Sequence, residues 1–237
     1  MLLSKMTWEQ VAAYLENDDR VIIPVGSTEQ HGPRAVIGTD FLIPDAIAAE
    51  AGRRAGVVAA PVIPYGMALH HMAFPGTISL RPSTLMRVVY DVLAALSRHG
   101  FRRVLLLNGH GGNVPSLMAG VAEANDVYSD MLIKTMGWWD VDGVTAIREQ
   151  AFGDKDGVHG TAGETSIVMA LHPGIVSQEP VEMTPLKTSN VWPHAARWAK
   201  RYPDGSAGAD VNLASAEWGQ RLFEAAVSGL VQELDRW

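Results

Sequence analysis

Glu29 and His31 stand two residues apart in Gly26-Ser27-Thr28-Glu29-Gln30-His31-Gly32-Pro33, and Asp40 follows His31 after nine positions. In an extended segment, residues i and i+2 project to the same side, so Glu29 and His31 can face one centre. Carboxylates and imidazoles are the ligand types of a hydrolytic metal site. The same residues also have a plain structural reading, with Asp40 as the first-turn carboxylate of a helix and Glu29 as a solvated loop charge. A second group is Asn108-Gly109-His110-Gly111-Gly112-Asn113, directly behind the apolar run 104–107. Its glycines permit a tight turn and close backbone approach to a ligand, with His110 offered at the strand end. The spacing does not match a phosphate-cradling glycine loop, which argues against a nucleotide-binding module. A third group runs from Asp156 to Ser166 and holds His159 and Glu164. Glu164 in a first helical turn also suits the helix dipole without any ion. Nearby in sequence, Tyr65, His70, His71, Phe74 and the pair Trp138-Trp139 beside Asp140 suit a pocket for a small planar polar substrate, or ordinary packing.

These groups must be positioned by regular elements, and the apolar pattern predicts which. Thr7-Trp8-Glu9-Gln10 reads as a capping box that opens a helix to about residue 15. Strand patterns fall at 20–25, 57–63, 103–107 and 131–136. Helical patterns fall at 40–55, at 83–99 with Gly100 just beyond its end, behind Pro115, at 163–171 and at 213–234. Continuous apolar strands alternating with helices predict an α/β fold: a three-layer α-β-α arrangement around a mostly parallel sheet. Ligands of such sheets sit at the carboxyl ends of the strands, where the three groups fall. No repeat, low-complexity stretch or linker divides the chain, which predicts a single domain over 1–237. Residues 177–210, rich in Pro, Ser, Asn and Trp, read as an extended surface excursion.

The excess of acid over base, a formal charge of -7, and the lack of a basic run speak against a nucleic-acid partner. The absence of cysteine excludes disulfides, thiolate metal sites and a cysteine nucleophile. No run is apolar for long enough to span a bilayer, and the first residues lack a signal-peptide core, so the reading is a cytoplasmic protein.

Taken together and in order, the three groups resemble the signatures of the creatininase family of amidohydrolases. Phe74-Pro75-Gly76-Thr77-Ile78-Ser79-Leu80 is similar to a further family segment. The resemblance spans about residues 7–176. It implies a creatininase-like fold and two divalent ions (Zn, Mn or Fe), with Glu29 and His110 on one, His31 on the other and Asp40 bridging. It implies a ring-like homo-oligomer, often a hexamer, acting on a small-molecule amide. Trp139 is similar to a tryptophan that creatininase closes over its substrate, and His159 to a histidine beside the substrate. The chain departs from creatininase at Gly112, where creatininase has a glutamate that serves the second ion. The Gly-Gly form is similar to formamide hydrolases and peptide-processing members of other branches. A second departure is Arg34, able to bind an anionic substrate group or to reach solvent.

The implied reaction is hydrolysis of a C–N amide bond by a hydroxide shared between the ions, in a cyclic amide, a formamide or a similar small substrate. His159 would carry a proton to the leaving nitrogen. Glu164 would either orient His159 or replace the missing carboxylate of the second ion. A peptide-processing member and a non-catalytic metal- or ligand-binding homologue are the alternatives.

Overall fold

The computed structural model describes residues 1–187 and 193–237. In chain order its principal elements are α1 (Trp8–Leu15), β1 (Arg20–Val25), α2 (Thr39–Ala55), β2 (Val58–Ala59), α3 (Pro82–His99) and β3 (Arg103–Asn108). They continue with α4 (Val114–Val127), β4 (Leu132–Gly137), α5 (Val144–Ala151), α6 (Ala162–Leu171), α7 (Ala195–Arg201) and α8 (Ala216–Asp235). The four strands run parallel in the order β2-β1-β3-β4. Apolar side chains of β1 and β3 alternate between two cores. Ile22, Leu105 and Leu107 pack with α2, α6 and α8, while Val21, Ile23, Val104 and Leu106 pack with α3 and α4. A strand buried on both faces needs apolar residues at every position, which explains the continuous runs at 21–25 and 104–107. Each fully buried Leu or Ile contributes roughly 1.5–3 kcal/mol, so these two strands anchor both layers.

Local signals set most boundaries. Thr7 accepts from Gln10 N while Gln10 Oε1 accepts from Thr7 N, completing the capping box of α1. Gly100 closes α3 at φ +104°. Two boundaries differ from the sequence reading. The run 57–63 forms only a two-residue strand: Ala60 N donates to Ile22 O, but the next donor to β1 is Ile63 N, to Pro24 O, so one extra residue bulges the chain and breaks the ladder. It regains contact at one bridge, Val25 to Ile63, and its outer edge is covered by Leu2. The last helix begins at Ala216, where the Ser215 side chain accepts from Trp218 N, and 211–213 form a separate turn.

The segment 177–210, of which residues 188–192 lie outside the described residues, runs at the surface as expected over 177–187 and 193–201, but its end folds into the protein. Tyr202, Ser206 and Ala207 are buried, and Ala207 pairs antiparallel with His159. Helix α7 packs on the turn Leu69–His71. The segment thus walls the carboxyl end of the sheet. No helix among the described residues is long and apolar enough to cross a membrane.

Candidate metal centre

Beyond the carboxyl ends of β1 and β3, five side chains from four segments converge. Glu29 and His31 leave β1 on a turn held by the 74–80 segment: Ile78 N donates to Thr28 O (2.8 Å) and Gln30 N to Thr77 Oγ1 (3.2 Å). His110 follows β3. Asp40 enters from the first turn of α2, which descends unusually close to the strand ends. A Cβ on Gly109 would lie 2.0 Å from the Asp40 carbonyl oxygen, and one on Gly26 only 2.4 Å from Phe41 Cα. Glycine at both positions is therefore what lets Asp40 reach the centre. Glu164 arrives on the first turn of α6.

Asp40 sits between two imidazoles, with Oδ1 2.8 Å from His31 Nε2 and Oδ2 3.0 Å from His110 Nδ1. Glu29 Oε2 lies 3.1 Å from His110 Nε2 and accepts from Ser27 Oγ at 2.6 Å. All of these groups are almost fully buried. His31 Nδ1 meets the Glu29 carbonyl at 3.1 Å, and His110 Nε2 meets the Met67 carbonyl at 3.0 Å. A carbonyl can only accept, so those nitrogens carry the ring protons, and the neutral rings aim lone pairs at Asp40. Lone pair facing carboxylate at 2.8–3.0 Å requires a proton or a cation between them.

The charge balance of the residues alone agrees. Burial pushes the Glu29 carboxyl up to about 8, against the pull of His110. Burial opposes charge on His31 and His110, yet Asp40 lifts His31 to about 10, and Glu29 with Asp40 lifts His110 to about 9. Burial would likewise raise Asp40, but the two imidazoles hold it far below the ordinary carboxylate range. Glu29 Oε1 and Asp40 Oδ2 are buried without a hydrogen-bond donor. Orphaned buried carboxylate oxygens among imidazole lone pairs are the donor set of a divalent cation, and the residues fit one. Two groupings bring one ligand atom from each residue within 4.8 Å of the others: Glu29, Asp40 and His110, and His31, Asp40 and Glu164. A third comprises Glu29, His31 and His159 within the same limit.

Glu164 has two tasks available to its two oxygens. Oε2 accepts from Thr161 N at 2.8 Å, completing a capping box on α6, which leaves Oε1 for the cluster. His159 is oriented by Gln30 instead. The Gln30 amide is fixed by two backbone groups: Oε1 accepts from Gly32 N and Nε2 donates to Gly205 O, each at 2.9 Å. His159 Nε2 lies 2.8 Å from the Gln30 carbonyl and 2.9 Å from Gln30 Nε2, and His71 Nδ1 lies 2.8 Å from that same Nε2. Gln30 Nε2 has two protons and one goes to Gly205. If His159 Nε2 donates to the Gln30 carbonyl, the second goes to His71 Nδ1, and both amide protons and both facing ring nitrogens are paired. If His159 Nε2 accepts instead, His71 Nδ1 is orphaned. The first arrangement wins. It leaves the His159 Nδ1 lone pair 3.7 Å from Glu29 Oε1, and a proton on His71 Nε2, 3.4 Å from that same oxygen.

Gln30 and Trp198 are not among the residues that the sequence patterns mark for the site, and His71 is marked only as part of a substrate pocket or of ordinary packing. The Trp198 indole stands edge-on to His71 and His159, with ring centroids 4.7 and 5.7 Å away. Position 30 lay inside the quoted signature and position 71 beside the 74–80 segment; nothing local marks Trp198. Of the residues marked for substrate, Trp139 lines a cavity of about 300 Å³ together with Glu164 and Gly111. Arg34 is not brought to the cluster. It is buried and donates to Ser177 O (2.7 Å) and Val211 O (2.8 Å), tying down both ends of the segment that walls the site. Tyr65 is exposed, and none of the contacts that knit the cluster involves it. At Gly112, a Cβ would fall 2.2 Å from His110 Nε2. Any larger residue there would displace the His110 ring from its present seat.

A parallel α/β sheet with buried carboxylates and imidazoles at its carboxyl end is the architecture of a metal-dependent hydrolase. The model of the family described as creatinine amidohydrolase matches residues 4–234. The chain belongs to the creatininase family and is a hydrolase of that class. It is 28% identical to the creatinine amidohydrolase of Pseudomonas putida, over 99% of this chain and 96% of that protein. It is 31% identical to the mycofactocin precursor peptide peptidase of Mycolicibacterium smegmatis, over 92% of this chain and 85% of that one. A solved creatininase, 28% identical, superposes with a TM-score of 0.89 over 99% of this chain and 96% of its own. Solved creatininases of similar fold include a manganese form and a Zn–Zn form.

Proposed function

We propose that the chain, as one domain over 1–237, is an amidohydrolase with two divalent ions, Zn, Mn or Fe, cleaving the C–N bond of a small amide. The observation that carries this reading is Asp40, whose two buried oxygens each face an imidazole nitrogen, His31 Nε2 at 2.8 Å and His110 Nδ1 at 3.0 Å. Glu29, Asp40 and His110 would hold one ion and His31, Asp40 and Glu164 the other, their ligand atoms lying within 4.8 Å of one another, so that Glu164 would take the place left by Gly112. When bound, the ions supply Lewis acidity for the scissile carbonyl and lower the pKa of water towards neutrality. The chain supplies the proton path. His159 Nδ1 accepts a proton from the attacking water as its oxygen bonds to the carbonyl carbon, and returns it to the nitrogen as the C–N bond breaks. One water is consumed, giving a carboxylic acid and an amine. Gln30 keeps the proton on His159 Nε2, so that Nδ1 faces the reaction. Trp198 and the buried Tyr202, Ser206 and Ala207 exclude bulk water on that side.

The reading includes a cytoplasmic homo-hexamer, checked by light scattering on the purified protein. Its central test is metal content. Two ions per chain are expected, falling to one in Glu164→Ala with the fold intact. Two ions retained in that variant would overturn the ligand role of Glu164, and a protein taking up no ion would overturn the whole reading.

A further inference from the structure

The cavity beside Glu164 holds a cation that the proposed chemistry leaves unused. Arg148, on α5, lines it together with Trp138, Trp139, Gly111, Thr161 and Glu164. Arg148 is fixed by one edge only. Its Nε donates to Asp156 Oδ2 at 2.6 Å, and Asp156 Oδ1 accepts from Gly163 N at 2.8 Å. Asp156 is buried, and both of its oxygens are engaged, so the guanidinium is locked in place from behind. Among the described residues, neither terminal nitrogen of Arg148 has a protein partner. A second group in the same wall lacks one too: the Trp138 indole is buried, and its Nε1 donates to nothing.

Glu164 ties this cavity to the metal centre, since it lines the one and reaches the ligand atoms of His31 and Asp40 in the other. A substrate whose amide lies at the ions therefore extends between the indole of Trp139 and the free edge of Arg148. A planar fork of N–H donors on a fixed cation selects a carboxylate over a neutral group. We propose that Arg148 is a specificity-determining residue and that the substrate is a small amide bearing a carboxylate. This rests on the amidohydrolase reading for the position of the scissile bond, but the anion site does not need that reading to bind.

The test offers matched amides in carboxylate and primary-amide form: N-formylglycine with N-formylglycinamide, succinamate with succinamide, and N-formylanthranilate with its amide. Hydrolysis and calorimetric binding are measured on the metal-loaded wild type and on Arg148→Met. Arg148→Gln, which keeps a donor for Asp156, repeats the test should the methionine variant fold poorly. The wild type is expected to favour the carboxylate member of at least one pair by about tenfold in kcat/KM or in affinity, through KM rather than kcat. The variants should lose that preference while holding the same metal and treating the neutral member as before. Equal use of both members by the wild type, or a preference that survives in the variants, overturns the proposal. Carboxylates bound through Arg148 but never hydrolysed would overturn the amidohydrolase reading and leave the anion site standing. Neutral amides hydrolysed without preference would do the reverse.

Discussion

The two ends of the sheet carry ionisable residues in opposite fashion. At the amino end, β1 opens on Arg20 and β3 on Arg103. Arg20 grips Asp18 through Nε and Nη2 and reaches the Leu234 carbonyl at 2.9 Å. Arg103 pairs with Asp19 and Asp18 and reaches the Trp237 carbonyl at 3.0 Å. Each charge there has an opposite charge, stays partly exposed, and ties strand starts to the end of α8. Burial alone would raise Asp18, but the Arg20 guanidinium outweighs it and holds the carboxyl down. At the carboxyl end there is no arginine or lysine among the cluster residues, burial is nearly complete, and carboxylate oxygens lack donors. One end is a finished ion-pair clasp. The other is stable only with protons or cations added, and a site that the chain leaves incomplete is where a cofactor belongs.

The largest effect should come from Asp40→Asn. It removes the charge shared by both groupings, so metal content should fall from two ions to at most one and kcat/KM by about 1,000-fold or more. Elemental analysis beside turnover checks this, and an active variant holding both ions would erase the contrast between the two ends.

Gln30→Met comes next. Losing the amide frees both His159 and His71, and kcat should drop roughly 10–100-fold with metal content kept. Neutron diffraction or nitrogen NMR on labelled histidine should show His159 protonated at Nε2 in the wild type and mixed in the variant. A wild type protonated at Nδ1 would remove the proton path.

A pH dependence separates the ends further. In metal-stripped protein, His31 is lifted from 6.5 to about 10 and Glu29 from 4.5 to about 8. Both groups bind more protons folded than unfolded between these values. Their contribution is full below the unfolded pKa and is lost as pH rises through the folded one. The stripped protein should therefore lose melting temperature from about pH 6 to pH 10, and loading with Zn or Mn should flatten the slope, since ions replace the protons. Calorimetry across that range decides it; equal slopes would mean that the ions sit elsewhere.

The smallest effect belongs to the amino end. Arg103→Met should cost about 0.5–1 kcal/mol in a denaturant titration, as partly exposed pairs do, and leave metal content and turnover unchanged.

The sequence determined a good part of this. Continuous apolar runs can be satisfied only by strands covered on both faces, so the parallel sheet and its helices were legible from residues 20–25 and 103–107. That Glu29, His31, Asp40, His110, His159 and Glu164 are candidates for one site was legible from the order of the three groups and their resemblance to family signatures, because each residue alone also has an ordinary structural use. Tertiary structure decided the rest. That Gln30 rather than Glu164 orients His159 depends on Gly205 and Gly32 fixing an amide, across 129 residues from Gln30 to His159. That Trp198 walls the site while Arg34 serves as a tether depends on where 177–210 folds back. Arg148 looks like any helical arginine until Asp156 holds one edge of it. Sequence fixes which chemistries are present within a few residues; which of them meet, and which nitrogen carries the proton, is set by contacts between segments that share no local pattern.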